Sequence, residues 1–467
     1  MKFKLFRNLY FKKVNSDYWG VYHPFNEYKI IFISSDLKAE LKKFQNSGEI
    51  LENNPFKNEL EKLKKEYFLV PELFNHTKPI QTIREGLPKK PSIGLLYLLL
   101  TDSCNLNCSY CAIEENLESL CKNSKLRAKN MSIKTCDNAI DFYVMCKDDK
   151  LPEHRVIFYG GEPLLNEKVF RHAVSRLRSE EKKGNLKNLG MVMNTNATKV
   201  NEEIAEFFAK NKISPAVSLD GYKEIHDSQR KNLRGKGSYD ETIRGYKLFQ
   251  KHGIQPGISC TITKNNIGKL EEIAEFFVDN LNPNGIGFNL LLDFKDKINP
   301  LAVSVKKATK AMLKSFEFLR EKGVFEERVM RRLGKIIKKE MHLKDCAGYG
   351  RQVVVAPDGR IGPCQIAMAA DYPSPGNVND SKMFDPNDNE LFLEWNKRTA
   401  FNMSQCEDCS FITICGGGCA YQSYIKTGNI WQVDKRICEH CKELIDWVID
   451  DLWKTKQKNI QYETRLG

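Results

Sequence analysis

The chain has 467 residues, enough for two or three domains with hydrophobic cores of their own. Its 15 cysteines, in a sequence whose N-terminus lacks a signal-peptide pattern, favour metal ligands over disulfides and predict a cytoplasmic protein. Much of the formal charge of +13 lies on helical faces that we expect to be solvated, as in 306–339, and no apolar run is of membrane-spanning length. We therefore expect neither nucleic-acid binding nor membrane insertion.

Residues 1–80 are predicted to form a small N-terminal α+β domain. Two β-favouring runs, at 18–22 and 28–33, are separated by a turn, and two helices follow at about 37–44 and 54–67. Asp36 is the candidate N-cap of the first helix. The order of strands and helices resembles a winged-helix-like domain, and the alternative is a cap that only packs on the rest of the chain.

A short loop at 101–111 carries the most specific pattern. It follows an apolar run, 93–100, that predicts a buried strand, and it places Cys104, Cys108 and Cys111 in the spacing C-x3-C-x2-C. Three cysteines can bind three irons of a [4Fe–4S] cluster and leave the fourth iron open, whereas four would saturate the cluster. A zinc site and three buried free thiols are the alternative interpretations.

From about 90 to 300 the sequence alternates between predicted strands and amphipathic helices. The candidate strands are 94–101, 155–159, 190–194, 215–219, 257–263 and 285–292. This alternation predicts an α/β fold with a parallel sheet and outer helices, and six units fit a partial (β/α)6 TIM-like barrel. In such barrels the carboxyl ends of the strands carry the active site.

Glycine-containing and polar motifs follow these strands. The second strand leads into Tyr159-Gly160-Gly161-Glu162-Pro163, where glycines would let the backbone approach a ligand closely. After the third and fourth strands come Asn194-Thr195-Asn196-Ala197, Ser218-Leu219-Asp220-Gly221, and then His226, Asp227 and Arg230. Asp220 and Asp227 fit a turn cap and a helix N-cap as well as they fit ligand-binding roles.

The cysteine loop and the Gly-Gly-Glu-Pro motif together resemble the signature of radical S-adenosylmethionine (SAM) enzymes, which share a partial barrel. The resemblance implies that the open iron chelates the amino and carboxylate groups of SAM. By that match Ser218 and Arg230 would contact the ribose or carboxylate, and Leu291 the adenine. The full set of side chains and backbone groups that the resemblance assigns to SAM is Tyr110, Gly160, Gly161, Glu162, Ser218, Arg230 and Leu291.

Cysteines become frequent again at 342–467, beyond a predicted helical linker at 301–341. Their spacing is C-x12-G-x4-C, then C-x2-C-x5-C-x3-C, then a last cysteine. The composite resembles the SPASM domain, an extension that holds two auxiliary [4Fe–4S] clusters, which with the first makes three. The resemblance assigns one auxiliary cluster to Cys346, Cys364 and Cys419, and the other to Cys406, Cys409, Cys415 and Cys438.

This assignment leaves two points open. At 350–352, where some relatives supply a fourth ligand to the first auxiliary cluster, this chain has no Cys or Asp, so either an outside ligand completes that cluster or one iron stays open. In the second cluster, Cys441 is an alternative to Cys438. A pair of zinc-ribbon-like sites is the rival interpretation, because C-x2-C motifs also bind zinc.

The resemblance also implies a function. Reductive cleavage of SAM would yield a 5′-deoxyadenosyl radical that abstracts hydrogen from a peptide side chain. The leading hypothesis is that the protein is a maturase that crosslinks a ribosomally made peptide through a thioether or C–C bond. The expected partners are a precursor peptide, with its leader on residues 1–80, and an electron donor such as flavodoxin or ferredoxin.

Two alternatives belong to other outcomes or classes. The first is an anaerobic sulfatase-maturating-type enzyme that oxidises Cys or Ser of a protein. Those enzymes carry a general-base aspartate just after the cysteine of G-x4-C, where this chain has Gln365, and glutamine cannot take a proton. The second is a non-catalytic iron–sulfur electron carrier or scaffold.

Overall fold

The computed structural model describes residues 1–111, 129–293, 299–369 and 372–466, with side chains as far as residue 457. Its strands are β1 (Lys2–Leu5), β2 (Tyr10–Lys13), β3 (Tyr18–His23), β4 (Lys29–Ser34), β5 (Gly48–Glu49), β6 (Leu69–Pro71), β7 (Leu95–Thr101), β8 (Leu106–Cys108), β9 (Arg155–Gly160), β10 (Gly190–Thr195), β11 (Ile213–Ser218), β12 (Arg230–Asn232), β13 (Gly257–Ile262), β14 (Ile286–Leu290), β15 (Gln352–Val355) and β16 (Ile361–Gly362).

The helices are α1 (Ser35–Leu41), α2 (Lys57–Lys65), α3 (Lys78–Gly86), α4 (Ile133–Cys146), α5 (Glu167–Lys182), α6 (Glu202–Lys210), α7 (Lys223–Gln229), α8 (Tyr239–Lys251), α9 (Leu270–Leu281), α10 (Val305–Glu321), α11 (Glu327–Ile337), α12 (Gln365–Ala369), α13 (Glu390–Lys397), α14 (Ile412–Cys415), α15 (Ala420–Thr427) and α16 (Lys435–Leu466). No helix in the described ranges is long and apolar enough to cross a membrane.

The central sheet confirms the predicted α/β barrel. Six parallel strands lie in the order β14-β13-β11-β10-β9-β7, so strands that are consecutive in the barrel repeat are neighbours in space. Helices α4 to α9 connect or flank them, as right-handed βαβ crossovers require. The set is an open (β/α)6 barrel.

Alternation along these strands separates the core from the site. On β10, Met191 and Met193 are buried and pack into the main hydrophobic cluster, while Asn194, the next residue after Met193, lines the cavity inside the barrel. The same two-residue period buries Cys260 on β13 and turns Thr261 inward. The interior is therefore polar at the carboxyl end of the sheet and apolar under the helices.

The cysteine-rich region is continuous with the barrel sheet. β15 pairs in parallel with β7, and β16 pairs antiparallel with β15, so the order of the sheet continues as β7-β15-β16. This hairpin covers the edge of the first barrel strand, which would otherwise expose unpaired backbone groups.

The N-terminal residues form two small antiparallel sheets, β5-β1-β6 and β2-β3-β4, with short helices. The predicted strands and helices are present, but the N-cap of α1 is Ser34 rather than Asp36. Ser34 has extended backbone angles, and its hydroxyl accepts the Leu37 N–H over 3.1 Å, while Asp36 lies in the first turn. Tyr22 and Tyr28 of this region pack against α14 and α16.

The segment between barrel and cysteine-rich region consists of α10 and α11. α10 packs on α9 and α16. The expectation that the basic faces of this segment are solvated is wrong for Arg332, which is only 3% exposed and pairs with Asp345. Buried arginines need such partners, since an unpaired buried cation is costly.

Candidate cofactor site

A cavity of about 780 Å³ lies at the carboxyl ends of the barrel strands. Its walls bring together all ten residues predicted for SAM and its cluster: Cys104, Cys108, Tyr110, Cys111, Gly160, Gly161, Glu162, Ser218, Arg230 and Leu291. Cys419 and Gln365 of the cysteine-rich region line the same cavity. The barrel and its C-terminal extension thus enclose one shared space.

The cysteine loop is held by a strand pair. β8, within the loop, pairs antiparallel with β12, and the register places Arg230 opposite Cys108. The Cys111 N–H closes the loop by donating to the Cys108 carbonyl over 2.9 Å. Cys104, Cys108 and Cys111 are all of intermediate exposure. The local backbone therefore presents three sulfur ligands to the cavity.

Donor groups surround these sulfur atoms. Arg230 Nη1 lies 4.0 Å from Cys108 Sγ, while Asn196 Nδ2 and the Leu106 N–H lie 4.0 and 3.5 Å from Cys104 Sγ. Burial raises the pKa of Cys108 to about 12, so an unliganded thiol there keeps its proton. N–H donors and a cation favour metal-bound thiolates, and the donor set fits an iron–sulfur cluster.

Asp220 organises the polar side of the site. Its buried carboxylate accepts hydrogen bonds from Tyr110 Oη at 2.5 Å, from Arg230 Nε at 2.7 Å and from the Thr261 N–H at 3.0 Å. Burial opposes its ionisation, but the charge and hydrogen bonds of Arg230 hold the pKa of Asp220 below its usual range. Asp220 thus fixes two residues predicted to contact SAM.

This role of Asp220 was not among the sequence expectations, which considered a turn cap or a ligand. The only available signal was an aspartate ten residues before an arginine, with a tyrosine in the cysteine loop. Which of these residues meet across a barrel depends on the sheet, and local spacing does not reveal it.

The two glycines of the 159–163 motif press against the cysteine loop. A Cβ on Gly161 would lie 2.1 Å from the Ser103 carbonyl oxygen, and Gly160 has a φ of +138°. The Gly161 N–H donates to the Thr101 carbonyl over 2.9 Å. The close approach expected toward a ligand is therefore also an approach to the loop that carries the cysteines.

Glu162 holds the ends of neighbouring strands together. One carboxylate oxygen accepts from Thr195 Oγ1 at 2.8 Å and from the Leu164 N–H at 3.2 Å, and the other accepts from the Asn196 N–H at 2.7 Å. Burial raises the pKa of Glu162 to about 7. Glu162 consequently orients the loop that also places Asn196 beside Cys104.

Ser218 and Leu291 both line the cavity. Ser218 ends β11, and Leu291 directly follows β14, whose last residue is Leu290. The Leu291 carbonyl accepts from Arg436 Nη1 at 3.0 Å, so the cysteine-rich region fixes this segment. Their predicted contacts with SAM remain predictions.

The cysteines assigned to the first auxiliary cluster lie together. Cys346, Cys364 and Cys419 pack in one cluster with Tyr349 and Trp395. Burial raises the pKa of Cys419 to about 11. Three thiols in one apolar cluster, of which Cys364 is buried and the other two are partly buried, fit a metal group better than isolated core cysteines, because thiolates there need metal charge to ionise.

The cysteines assigned to the second cluster also converge, and Cys441 joins them. The thiols whose charges most affect Cys438 are those of Cys415, Cys409 and Cys406. Cys415 interacts with both Cys438 and Cys441, and these hydrogen bonds lower the pKa of Cys415 well below its usual value. Cys438 and Cys441, one turn apart on α16, are thus both placed to be the last ligand.

Buried Arg332 supports a charged group at this position. Within the described residues its Nε has no hydrogen-bond acceptor, and its guanidinium lies beside the thiols of Cys415 and Cys441. A buried donor without an acceptor is unfavourable. Thiolate ligands would satisfy it, so the donor set fits a second metal cluster.

Comparison with known proteins agrees with this geometry. The model of the Radical SAM superfamily matches residues 98–277. The chain is similar to a cysteine-type anaerobic sulfatase-maturating enzyme of Clostridium perfringens, with 26% identity over 384 residues that cover 78% of this chain and 98% of the relative.

Two solved structures share the fold. Native anSMEcpe with bound AdoMet and Cp18Cys peptide matches with a TM-score of 0.65 at 22% identity, over 79% of this chain and 99% of that one. Streptococcus suis SuiB bound to precursor peptide SuiA matches with a TM-score of 0.55 at 17% identity, over 94% and 100%. At these identities the structural matches establish common architecture.

Proposed function

Because the chain belongs to the radical SAM superfamily, in its SPASM-type branch, we propose that it is a maturase that crosslinks a ribosomally made peptide. The observation that carries the proposal is one cavity whose walls include Cys104, Cys108 and Cys111 of the barrel and Cys419 of the cysteine-rich region. A space of about 780 Å³ between two groups of metal ligands suits a peptide side chain next to a reactive cofactor.

The residues in place define how the site would work. Cys104, Cys108 and Cys111 would hold a [4Fe–4S] cluster together with SAM, and the chemistry that this group would supply is abstraction of hydrogen from a C–H bond of the substrate. Arg230 compensates negative charge at Cys108 Sγ, and Asp220 fixes its direction. The C-terminal wall keeps water away from the reacting centre.

The C-terminal cysteines are proposed to hold two auxiliary [4Fe–4S] clusters, for which the chain groups Cys346, Cys364 and Cys419, and Cys406, Cys409, Cys415 and Cys438. Such clusters supply an acceptor for the electron that product oxidation releases, or an anchor for substrate. A donor such as flavodoxin or ferredoxin is the proposed source of the initiating electron.

A peptide substrate is supported by the relatives. SuiB is known bound to its precursor peptide SuiA, and anSMEcpe bound to a peptide. The SuiB match extends over 94% of this chain, against 79% for anSMEcpe. We propose that residues 1–80 bind the leader, with an extended leader segment adding to an edge strand, β2 or β4.

A sulfatase-maturating activity is the second candidate, favoured by the 26% identity to the Clostridium enzyme over 98% of its length. Gln365 argues against it. This side chain lines the cavity, and its Oε1 accepts from Gln352 Nε2 over 3.3 Å. An amide cannot act as the proton acceptor that oxidation of a thiol or hydroxyl to an aldehyde requires.

Mass spectrometry separates the two functions. The enzyme is co-expressed with the peptide encoded by a short reading frame beside its gene, and separately with a sulfatase peptide that contains the target Cys. Loss of two hydrogens from the former, at a position that fragmentation assigns to a crosslink, supports the proposal. An aldehyde on the latter and an unchanged neighbouring peptide would establish the alternative.

A further inference from the structure

The cavity walls carry an excess of positive charge. Among the described residues that line the cavity, six side chains are basic and three are acidic. The basic ones are Lys129, Arg230, Arg328, Arg331, Arg360 and Arg436, and the acidic ones are Asp102, Glu162 and Asp345. A site of this kind favours an anionic occupant, because low-dielectric walls strengthen the field inside a cleft.

Nearly all of these cations have a carboxylate partner. Arg436 pairs with Asp434 at 2.9 Å. Lys129 and Arg360 both pair with Asp358, at 2.8 and 2.9 Å. Arg230 pairs with Asp220. Each of these cations has a protein carboxylate as its counter-charge, so these pairs do not by themselves require a ligand.

Arg328 is the exception. Its Nε donates to Asn289 Oδ1 over 2.9 Å, and its Nη2 donates to the same amide oxygen. The closest carboxylate oxygen to it in the described structure belongs to Glu327, 3.7 Å from Nη1, and that carboxylate is hydrogen-bonded to Arg331. Two guanidinium groups thus share one carboxylate, and the hydrogen bonds of Arg328 end on a neutral group.

The helix position of Arg328 does not favour a cation. It lies in the first turn of α11, at the positive end of the helix dipole. Burial lowers the pKa of Arg328. Asn289, which orients the guanidinium, is itself fixed by a hydrogen bond of 2.9 Å to Ser259 Oγ. Asn289 therefore fixes the direction of the Arg328 side chain in the cavity wall.

We propose that Arg328 binds a carboxylate of the peptide substrate and so selects an acidic group next to the reacting position. A planar guanidinium with free donors matches a carboxylate in two-point geometry. This inference rests on the proposed function, since it needs a peptide in the cavity. The same chemistry is present in an Asp or Glu side chain, in a peptide C-terminus and in SAM itself, so the test must distinguish these sources.

The test uses the cluster-loaded protein and three small probes. N-acetyl-aspartate N-methylamide carries a side-chain carboxylate, N-acetyl-asparagine N-methylamide is its neutral match, and N-acetylalanine carries a C-terminal carboxylate. Binding is measured by ligand-observed NMR in the presence of SAM. Because a hydrogen bond to a charged group contributes strongly, we expect the aspartate probe to bind about tenfold more tightly than the asparagine probe.

Arg328→Gln should remove this preference, and Arg328→Lys should retain part of it. Arg320→Gln is the matched control, because Arg320 pairs with Asp451 on the surface, away from the cavity. A preference for N-acetylalanine over the aspartate probe would assign the site to a peptide C-terminus, which also supports a peptide carboxylate.

Equal binding of the aspartate and asparagine probes to the wild-type protein would overturn the inference. A tenfold loss of SAM affinity in Arg328→Gln would instead assign the arginine to the cofactor, and loss of iron would assign it to an auxiliary cluster. Failure of the wild-type protein to form 5′-deoxyadenosine would refute the proposed function itself, which is a separate readout.

Discussion

Replacing Asp220 with Asn tests the role of the carboxylate that holds Tyr110 and Arg230. The substitution keeps the shape of the side chain but removes the charge that pairs with Arg230, whose side chain is 9% exposed. Leaving one partner of a buried ion pair without its counter-charge costs about 3–5 kcal/mol. Since the asparagine oxygen still accepts one hydrogen bond, we expect the lower end of this range.

Hydrogen exchange measures this loss where it occurs. The Thr261 N–H donates directly to Asp220, and the β8–β12 strand pair depends on the same carboxylate. A local loss of about 3 kcal/mol corresponds to roughly 10²-fold faster exchange of these amides. We expect this acceleration in Asp220→Asn, together with reduced iron loading at the cysteine loop.

Two further variants complete the test. Asp220→Asn combined with Arg230→Met removes both charges and should exchange more slowly than the single variant, because no unpaired cation remains. Asp388→Asn is the control, since its pair with Lys90 is largely exposed and should leave exchange unchanged. If these amides exchange in Asp220→Asn at a rate within threefold of wild type, the stabilising role assigned to the Asp220 carboxylate is refuted.

Two other predictions concern the strand ends. Gly161→Ala should lower SAM affinity and iron content, because the added Cβ would lie 2.1 Å from the Ser103 carbonyl oxygen. Gly334→Ala is the control and should change neither quantity, because the space around Gly334 is open. Normal iron content and SAM affinity in Gly161→Ala would contradict the close packing of Gly161 on the cysteine loop. Burial raises the pKa of Glu326 from 4.5 to about 7, so the folded state keeps a proton that the unfolded state loses. The free energy of unfolding should therefore fall by roughly 3 kcal/mol as the pH rises from 4.5 to 7. In denaturant titrations, Glu326→Gln should lack this pH-dependent fall. The same pH dependence of the unfolding free energy in wild type and Glu326→Gln would refute the prediction.

The sequence predicted those features that local pattern determines. The barrel strands, the loop of Cys104, Cys108 and Cys111, and the glycine motif lie where periodicity and spacing placed them. Boundaries were less exact: the N-cap of α1 shifted from Asp36 to Ser34, because both residues are capable caps and only the backbone angles decide between them.

Long-range features could not be predicted in the same way. The pairing of β15 with β7 joins residues more than 250 positions apart, and no local signal specifies it. Arg328 stands in a basic helical segment whose pattern favours a solvated face, and its place in the cavity wall depends on how α11 meets β14. Charge alone does not reveal whether an arginine points to solvent or into a cavity.

The most direct test of the account is SAM cleavage by anaerobically reconstituted protein with dithionite. The wild-type enzyme should form 5′-deoxyadenosine, and a variant with Cys104, Cys108 and Cys111 replaced by Ala should form none while keeping the iron bound by its C-terminal cysteines. Zinc in place of iron in the wild-type protein, or continued 5′-deoxyadenosine formation by the triple variant, would contradict the claim that an open iron on these three cysteines initiates the chemistry.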